Sequence, residues 1–523
     1  MKGKRWRNFW CVVLSAVMLA GMLSGCGGGT TAQTDEGQTQ TASQDPSGEK
    51  RDDIVIGLAQ EPATMDPNNM SDAAGFMVAA NVYEALLWIT DELELEPLLA
   101  KDWDISDDGL VYTFYLEEDV TFHNGEPFTA NDCKFTYDRA IAGGYADSAT
   151  DFIESTRVVD EHTFEVTLKY PYAAALDCFA SPFLRIVSQK AVEDCGESFS
   201  YNPIGAGTGP YKFISWTSGS DFQFEAYEDY WRGAAPIKKV DMRVMTDQTA
   251  LSLAIETGEV DYGQISGADI ETFSTNENLT YSTRATTIYN FIGFNTSETP
   301  FDNPLVRQAI SYSMDKDELA LVAYDSMEAI TVTATPAPAS SLTKEFDVYP
   351  QDIEKAKELL AEAGYPDGFS TTIYTPNANW RRNMATYMQS CMAQIGINAE
   401  IEVMEQAAIL EEMRDGNCPM FIMGFTGITD NADFFYYSNY RTGQNYNYTR
   451  YSNPELDTLL DEARFTNNQE EIDSLYEQIA QIVYDEVPDI PTFFINFMYG
   501  YNANLNATVA PFTRIYVYDF SWK

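Results

Sequence analysis

The stretch Phe122–Asp132 has the sequence FHNGEPFTAND and lies between two segments with strand patterns. Within it, Asn124 and Gly125 form a dipeptide that favours a tight turn. Upstream, the character of the side chains alternates from residue to residue over Val111–Leu116, which predicts a β-strand. Thr163–Leu168 downstream has the same pattern. The two segments Val111–Leu116 and Thr163–Leu168 are therefore predicted to be strands that end in turns.

The second half of the chain is rich in helical patterns. Apolar residues of the segment 352–363 recur at intervals of three and four, and Gly364 follows where a C-terminal helix cap belongs. Two further stripes of this kind run from Met384 to Ile395 and from Ile472 to Val483. We interpret these stripes as core-facing helix faces rather than cofactor sites. Strands that alternate with helices predict α/β domains.

The N-terminus has the layout of a secretory signal. Basic residues precede an apolar run from Phe9 to about Leu23, and small residues then lead to Cys26. This end resembles the lipobox of bacterial lipoproteins, so residues 1–25 are predicted to be a signal peptide and Cys26 the lipidated membrane anchor. The run is shorter than the roughly 20 apolar residues of a spanning helix, although an uncleaved anchor stays an alternative. The composition of residues 26–50 predicts a flexible linker.

The chain is strongly acidic, with 32 Lys and Arg residues against 80 Asp and Glu residues and a formal net charge of −48. Loss of the four basic residues of the signal segment would bring the mature chain to about −52. A protein of this charge does not bind nucleic acid or anionic lipid through general electrostatics. The net charge says little about a small ligand in a cleft.

The cysteines do not predict a disulfide framework. Outside the signal segment and the lipid site, the chain has an odd number of cysteines and no C-x-x-C spacing. This pattern also argues against a zinc site. Pairing of Cys178 with Cys195 in an oxidising compartment stays open.

Signatures of common enzyme classes are missing from the sequence. The two histidines, His123 and His162, do not form an HExxH zinc motif, and no GxSxG nucleophile elbow is present. Gly205–Pro210 lacks the last glycine of a GxGxxG motif and is interpreted as a turn.

A surface hydrolase that uses two carboxylates stays the alternative class. Asp430 with Asp433, or Glu117 with Glu118, could serve as the acid and the nucleophile of a glycosidase. With 80 acidic residues in the chain, solvated surface charge is the default interpretation of such pairs. We therefore assign no catalytic residue, no metal ligand and no cofactor.

Several segments, in order along the chain, resemble the solute-binding proteins of bacterial ABC importers. The resemblance is to the class that includes dipeptide- and oligopeptide-binding proteins, family 5, and it spans about residues 52–500. Phe122–Asp132 resembles the most recognisable signature of this class. Other matching segments are Glu61–Pro67, Val82–Leu86, Leu99–Trp103, Gly207–Tyr211, Tyr230–Gly233, Glu256–Asp261, Val306–Ile310, Lys355–Tyr365, Asn453–Asp457 and Pro488–Pro491.

The resemblance implies an α/β, two-lobed periplasmic-binding-protein-like fold (class II) with hinge crossings and an extra inserted domain. Lobe I would comprise residues 51–88, 205–300 and 499–523, the inserted domain residues 89–204, and lobe II residues 301–498. A ligand that contacts both lobes favours the closed form through its differential affinity. The resemblance further implies a monomer that docks on an ABC permease, which works with ATPase subunits.

In peptide-binding members of this class, an aspartate in a loop after a buried strand pairs with the α-ammonium of the peptide. The matching segment here is Met423–Phe434. An ungapped match places the aspartate position at Ile428, whereas a shift of two residues places it at Asp430, which we favour. With that shift, Asp433 matches a later acidic position.

An arginine near the start of the Met384 helix can anchor the peptide carboxylate by a bidentate pair. Arg382 or Arg381 is the candidate, although the double arginine sits one position earlier than in dipeptide binders. A solvated arginine at the start of a helix is the alternative interpretation.

Trp380, Phe434 and Ser71 complete the candidate ligand contacts. Aromatic residues are frequent between positions 434 and 451, and Trp380 is near them in the implied fold. Such rings pack in a core or stack on sugars, so an oligosaccharide is the alternative cargo to a peptide. Nickel or haem is not expected, because neither histidine lies in the later cleft segments.

Overall fold

The computed structural model describes residues 51–70, 72–144, 146–324, 326–338, 341–427, 431–466, 468–510 and 514–523. The predicted signal peptide, Cys26 and the linker lie outside these residues, as do Ser71 and Asp430. No helix within the described ranges has the length and apolar character needed to cross a membrane.

Strands and helices alternate along the described chain, which confirms the predicted α/β class. Strands β1 to β19 have these bounds: Asp53–Leu58, Leu87–Ile89, Leu95–Pro97, Ala100–Ile105, Val111–Leu116, Ile153–Asp160, Thr163–Leu168, Tyr211–Thr217, Asp221–Ala226, Lys239–Val244, Tyr262–Gln264, Leu279–Phe294, Ile330–Val332, Ser370–Pro376, Asn398–Met404, Met420–Thr426, Asp489–Asn502, Leu505–Asn506 and Ser521–Trp522. Helices α1 to α15 have these bounds: Ala73–Ala79, Ala130–Gly143, Asp147–Thr150, Ala175–Phe179, Gln189–Cys195, Gln248–Glu256, Ile270–Thr275, Pro304–Tyr312, Lys316–Tyr324, Ile353–Glu362, Asn379–Gln394, Gln406–Asp415, Ala432–Tyr440, Pro454–Phe465 and Gln469–Glu486.

The predicted local signals account for individual elements. β5 and β7 have the bounds that the sequence predicts. The side chain of Asp352 accepts a hydrogen bond from the backbone N–H of Lys355 (2.9 Å) and so caps the first turn of α10. Gly364, with a φ of +93°, follows the end of this helix. Glycine adopts this left-handed backbone conformation with little steric strain.

The stretch Phe122–Asp132 joins a turn to a helix start. Gly125 has a φ of +84° in the turn, and Thr129 forms the capping box that begins α2. His123 is half-buried, and its Nε2–H donates to the backbone carbonyl of Gly209 (2.8 Å). Burial lowers the pKa of His123 to about 4, so the imidazole is a neutral structural group that ties the turn to a distant segment.

One large mixed sheet organises the described residues. Its strand order is β15-β14-β16-β12-β17-β11-β1-β10-β9-β8, and β13 pairs with β17 off this path. β1 is parallel to β10 and β11, and β14 is parallel to β15 and β16. A separate antiparallel sheet has the order β4-β5-β7-β6 and lies within the predicted inserted domain.

The long strands β12 and β17 connect the two halves of the large sheet. They pair antiparallel, with register shifts between Ala285 and Tyr289 and between Asn290 and Phe291. On one side of the shifts, β17 pairs with β11, and on the other side β12 pairs with β16. Such irregularities bend and twist a strand, so a bend lies where the two halves meet.

Buried apolar side chains form several cores. The N-terminal core draws on residues 54–83, 187–262 and 497–520, and the inserted core on residues 86–186. Two C-terminal cores lie around β12 and β16, one within residues 251–498 and one within residues 289–494. Burial of this apolar surface is the main favourable contribution to folding.

The cores divide the chain differently from the predicted domain ranges in two places. Val187, Ala191 and Phe199 lie in the range predicted for the inserted domain but pack in the N-terminal core. Leu251 and Leu279 lie in the range predicted for lobe I but pack in a C-terminal core. The reason is that α6 and α7 contact strands of the large sheet, while Ala191 on α5 packs with the N-terminal core.

All five cysteines in the described part of the chain are free. Cys178 is buried in the inserted core, whereas Cys195 packs against the N-terminal core. The pairing that the sequence left open is therefore not formed.

Candidate functional site

A cavity of about 580 Å³ lies between the N-terminal and inserted cores on one side and the C-terminal core around β16 on the other. Cavities of roughly 300–1,000 Å³ are usual for small-molecule sites. The described wall residues come from segments far apart in the chain: 70–89, 180–185, 286–291, 410–427, 434–448 and Arg514. A molecule in this cavity would contact both halves of the large sheet.

Among the described residues, the cavity wall is cationic although the protein is acidic. The described wall residues include Arg185, Arg414 and Arg514 and no aspartate or glutamate. Arg514 is neutralised locally, because it donates to the carboxylate of Asp91 (2.6 Å) and lies 4.2 Å from the ring centre of Trp88. In a chain with 32 basic and 80 acidic residues, this wall departs from the average surface.

A polar recess lies in the wall at Gly424. Gly424 on β16 faces Asn290 on β12, and Asn290 is 1% exposed. Neither Nδ2 nor Oδ1 of Asn290 has a hydrogen-bond partner among the described residues. A Cβ at position 424 would lie 2.9 Å from Oδ1 of Asn290 and 3.1 Å from Nη2 of Arg381. Because Gly424 has no side chain, the buried amide of Asn290 and the guanidinium of Arg381 both approach this position.

Arg381, in the first turn of α11, is held beside this recess. Its Nη1 donates to Oε1 of Gln406 (3.2 Å), and its guanidinium carbon lies 4.6 Å from the ring centre of Trp380. Its Nε is buried without a partner in the described part of the chain, and burial lowers the pKa of Arg381. A buried donor without an acceptor costs free energy, and a carboxylate would supply the acceptor in a bidentate geometry.

The edge of β16 is open inside the cavity. β16 pairs with β12 from Met420 to Thr426, but its register with β14 includes only Met420 and Phe421. Gly424 to Gly427 line the cavity. The edge of β16 beyond Phe421 therefore has no strand partner on the β14 side in the described part of the chain, and an extended chain can pair with such an edge.

Aromatic rings form much of the remaining wall. The described wall residues of this type are Phe76, Trp88, Phe183, Phe291, Phe425, Phe434, Tyr446 and Tyr448. The Phe425 ring centre lies 5.3 Å from that of Phe434 and 5.5 Å from that of Tyr446. These rings offer apolar surface for the side chains of a ligand.

The predicted ligand residues lie in different places. Phe434 lines the cavity, and Trp380 lies beneath the guanidinium of Arg381. Arg382 is exposed, and it donates to Asn377 (2.6 Å) and to Asn379. Of the two adjacent arginines, the structure thus brings Arg381 to the recess and leaves Arg382 at the surface of the helix start.

Asp433 is part of an internal ion pair and does not line the cavity. Its carboxylate accepts two hydrogen bonds from Arg464, with Nε at 3.0 Å, and one from the hydroxyl of Tyr476 (3.1 Å). Asp433 is 0% exposed. This position differs from the ligand contact expected from the sequence, because α14 and α15 supply its partners. Ser71 and Asp430 lie outside the described residues.

Of the carboxylates considered for a glycosidase, the described residues Glu117, Glu118 and Asp433 do not line the cavity. Glu118 forms an exposed ion pair with Lys101 (3.0 Å), and Asp433 is engaged by Arg464. Within the described residues, no group of three or more His, Cys, Asp or Glu side chains could hold a metal ion.

The segment 170–177, which follows β7, contacts the C-terminal half of the described chain; we call these contacts the rim contacts. The ring centres of Tyr170 and Phe465 are 5.3 Å apart, and Ala173 N–H donates to the carbonyl of Arg464 (3.1 Å). Nδ2 of Asn431 donates to Asp177 (2.8 Å). These contacts join the two sides of the cavity away from the crossing strands.

Arg185 in the cavity wall and Asn290 at the recess are not among the residues predicted from the sequence. Arg185 is the single basic residue between the apolar pairs Phe183-Leu184 and Ile186-Val187, and such a lone charge is a signal of a buried cation. Asn290 interrupts the apolar strand β12 in the same way. Neither signal indicates what the residue faces.

Comparison with known proteins identifies the family to which the chain belongs. Residues 94–447 match the bacterial extracellular solute-binding proteins, family 5, in their middle region. The glutathione-binding protein GsiB of Salmonella paratyphi A is 30% identical over 469 residues, which cover 87% of this chain and 91% of that protein.

Solved structures have the same fold. HbpA2 of Haemophilus parasuis superposes with a TM-score of 0.81 at 27% identity, over 90% of this chain and 100% of the other. DppA of Helicobacter pylori, a periplasmic binding protein solved with the peptide STSA, superposes with a TM-score of 0.75 at 27% identity, over 90% of this chain and 98% of the other. The predicted two-lobed fold is thereby confirmed. With its fold, its cavity between two halves and a match over residues 94–447, the chain belongs to the family 5 bacterial extracellular solute-binding proteins.

Proposed function

We propose that this protein captures short peptides in the cavity between its lobes and delivers them to an ABC transporter permease. The observation that carries the proposal is the open edge of β16, which lies in the cavity wall between Phe421 and Gly427. Peptides bind such edges through their own backbone groups, which supply affinity, while pockets for the side chains supply specificity. The related DppA carries a peptide in its solved complex.

The recess at Gly424 supports a carboxylate anchor in the same site. Arg381 and Asn290 both lack partners for buried polar atoms there in the described part of the chain. A peptide carboxylate at this recess would satisfy them, while the α-ammonium would be met by Asp430, as the sequence predicts. The protein acts in this proposal as a monomeric binding protein without catalysis and without a cofactor.

An oligosaccharide is the second candidate cargo, because eight of the described wall residues are aromatic. Aromatic faces stack on sugar rings as well as on peptide side chains. Native mass spectrometry of the gently purified protein separates the two cargos. Co-purified peptide masses support the proposal, and a saccharide mass transfers the ligand role from Arg381 to the aromatic wall.

The matched pair Arg381→Met and Arg382→Met tests the anchor. Loss of a charge-assisted hydrogen bond costs about 1.5–3 kcal/mol, so Arg381→Met is expected to weaken tripeptide binding about 10- to 100-fold. Arg382→Met removes the same charge from an exposed neighbour and should change the Kd less than about twofold. Isothermal titration calorimetry measures both, and equal Kd values for wild type and Arg381→Met would contradict the anchor.

We also propose that the mature protein is anchored through a lipid on Cys26 and a linker over residues 26–50. The lipobox-like sequence before Cys26 supports this proposal. Replacement of Cys26 by Ser should move the protein from the membrane fraction to the soluble secreted fraction. Retention of the Cys26→Ser variant in the membrane fraction would contradict it.

A further inference from the structure

Arg185 is a buried cation in the wall of the cavity. It follows the short helical turn Pro182–Leu184 of the inserted region and is 6% exposed. Its Nη1 donates to the backbone carbonyl of Phe76 (3.2 Å). It forms no ion pair with any described carboxylate, and no other side-chain hydrogen bond of its guanidinium occurs in the described part of the chain.

The charges around Arg185 do not compensate it. The charged group that acts most on Arg185 is the guanidinium of Arg514, which also lines the cavity and pairs with Asp91. Burial and the charge of Arg514 lower the pKa of Arg185 to about 9, and the group stays protonated at neutral pH. An uncompensated buried charge is unfavourable in the ligand-free protein. An anionic group of a ligand in the cavity would offset the charge of Arg185.

Resting on the proposed peptide function, we propose that Arg185 forms an anion subsite on the inserted-core side of the cavity and selects peptides with an acidic side chain. Arg381 would take the α-carboxylate from the opposite side of the cavity, and Arg185 would take the side-chain carboxylate. A ligand with two acid groups would then bind both sides of the cavity at once. Such a ligand has more affinity for the closed form than for the open form, and it therefore favours closure.

Three pairs of tripeptides test the selection. Each pair differs only by Glu against Gln: Glu-Ala-Ala and Gln-Ala-Ala, Ala-Glu-Ala and Ala-Gln-Ala, and Ala-Ala-Glu and Ala-Ala-Gln. In at least one pair, the Glu peptide is expected to bind wild type about 10-fold more tightly or better, since the side-chain carboxylate meets a buried cation. Calorimetry at constant salt gives the Kd values.

Arg185 variants assign the effect to this residue. Arg185→Met should bind Glu and Gln peptides equally, with the Gln affinity kept within about threefold, whereas Arg185→Lys should keep part of the preference. Arg157→Met, in the same inserted region, removes a charge that pairs with Glu165 on the surface and should retain the full preference.

The empty protein provides a second readout that does not depend on peptide choice. Because Arg185→Met removes an uncompensated buried charge and keeps an apolar stem of similar length, its ligand-free melting temperature should equal or exceed that of wild type. A residue with a purely structural role would give a lower melting temperature instead.

The outcomes separate the inference from the function on which it rests. Equal affinities for Glu and Gln peptides in wild type overturn the anion subsite and leave peptide binding intact. A preference that persists in Arg185→Met also overturns the role of Arg185. Failure of all six peptides to bind wild type overturns the peptide function itself.

Discussion

Asp489 is a buried carboxyl group at the start of the crossing strand β17. It is 2% exposed and accepts hydrogen bonds from the hydroxyls of Tyr289 (3.2 Å) and Tyr440 (2.8 Å). Burial raises its pKa to about 7, and the two hydroxyls oppose that rise only in part. Its protonation therefore changes within the physiological pH range.

Because the pKa of Asp489 is raised, we expect the free energy of unfolding to depend on pH through this residue. Its pKa is higher in the folded than in the unfolded protein, so its stabilising contribution is complete below about pH 4 and is lost as the pH rises through about 7. Asp489→Asn keeps a neutral side chain at every pH. The stability of Asp489→Asn relative to wild type should rise by about 2–4 kcal/mol between pH 4 and pH 8.

Urea unfolding of both proteins at several pH values measures this difference, since other titrating groups cancel between them. A difference that stays constant from pH 4 to pH 8 would mean that Asp489 is ionised in the folded protein throughout.

At the scale of elements, the rim contact between the inserted domain and α14 should contribute to closure. Phe465 is 43% exposed although its ring contacts that of Tyr170. An aromatic pair is worth about 0.5–1.5 kcal/mol, so Phe465→Ala should lower the closed population and raise the peptide Kd about 2- to 10-fold.

Ile105→Ala is the matched control for this prediction, because Ile105 is similarly exposed (42%) on β4 and is not part of the described rim contacts. Calorimetry gives the Kd values, and small-angle scattering of the empty proteins reports opening. If Phe465→Ala and Ile105→Ala behave alike, the rim contact does not stabilise the closed form.

The elements were easier to predict than the site. The alternation in Val111–Leu116 and the cap at Asp352 act over a few residues, so the sequence alone predicts β5 and the start of α10. The internal partner of Asp433 is Arg464, which is 31 positions away on another helix. No local pattern encodes that distance, so only the match to the solute-binding family, shifted by two residues, makes Asp433 a candidate contact.

The same limit applies to the recess at Gly424. The double arginine at 381 and 382 predicts an anion site at the start of α11, but the choice between the two residues depends on which side of the helix faces β16. Asn290 reaches the recess only because β12 pairs with β16 in one register. Register across strands far apart in sequence follows from the packed core and not from local spacing.

At the scale of the whole molecule, the net charge of −48 opposes the approach of an anionic peptide. The Debye length falls from about 30 Å at 0.01 M to about 10 Å at 0.1 M salt. The association rate constant of Ala-Glu-Ala should therefore rise over this range, while that of the net neutral Ala-Gln-Ala changes less.

Stopped-flow fluorescence can follow this association, because Trp88 lies in the cavity wall. A rate constant for Ala-Glu-Ala that falls with salt would mean that the arginines of the wall, and not the net charge, dominate the field along the approach.

The wall of the cavity is assembled from side chains at the margins of several separately packed cores. A substitution at one wall position can therefore alter ligand preference while most of the buried contacts that determine stability remain. Substitutions in the wall can therefore change the ligand that is bound with little loss in the free energy of unfolding. In that sense Arg185, at the edge of the inserted core, is a position where one codon change could redirect what a cell imports.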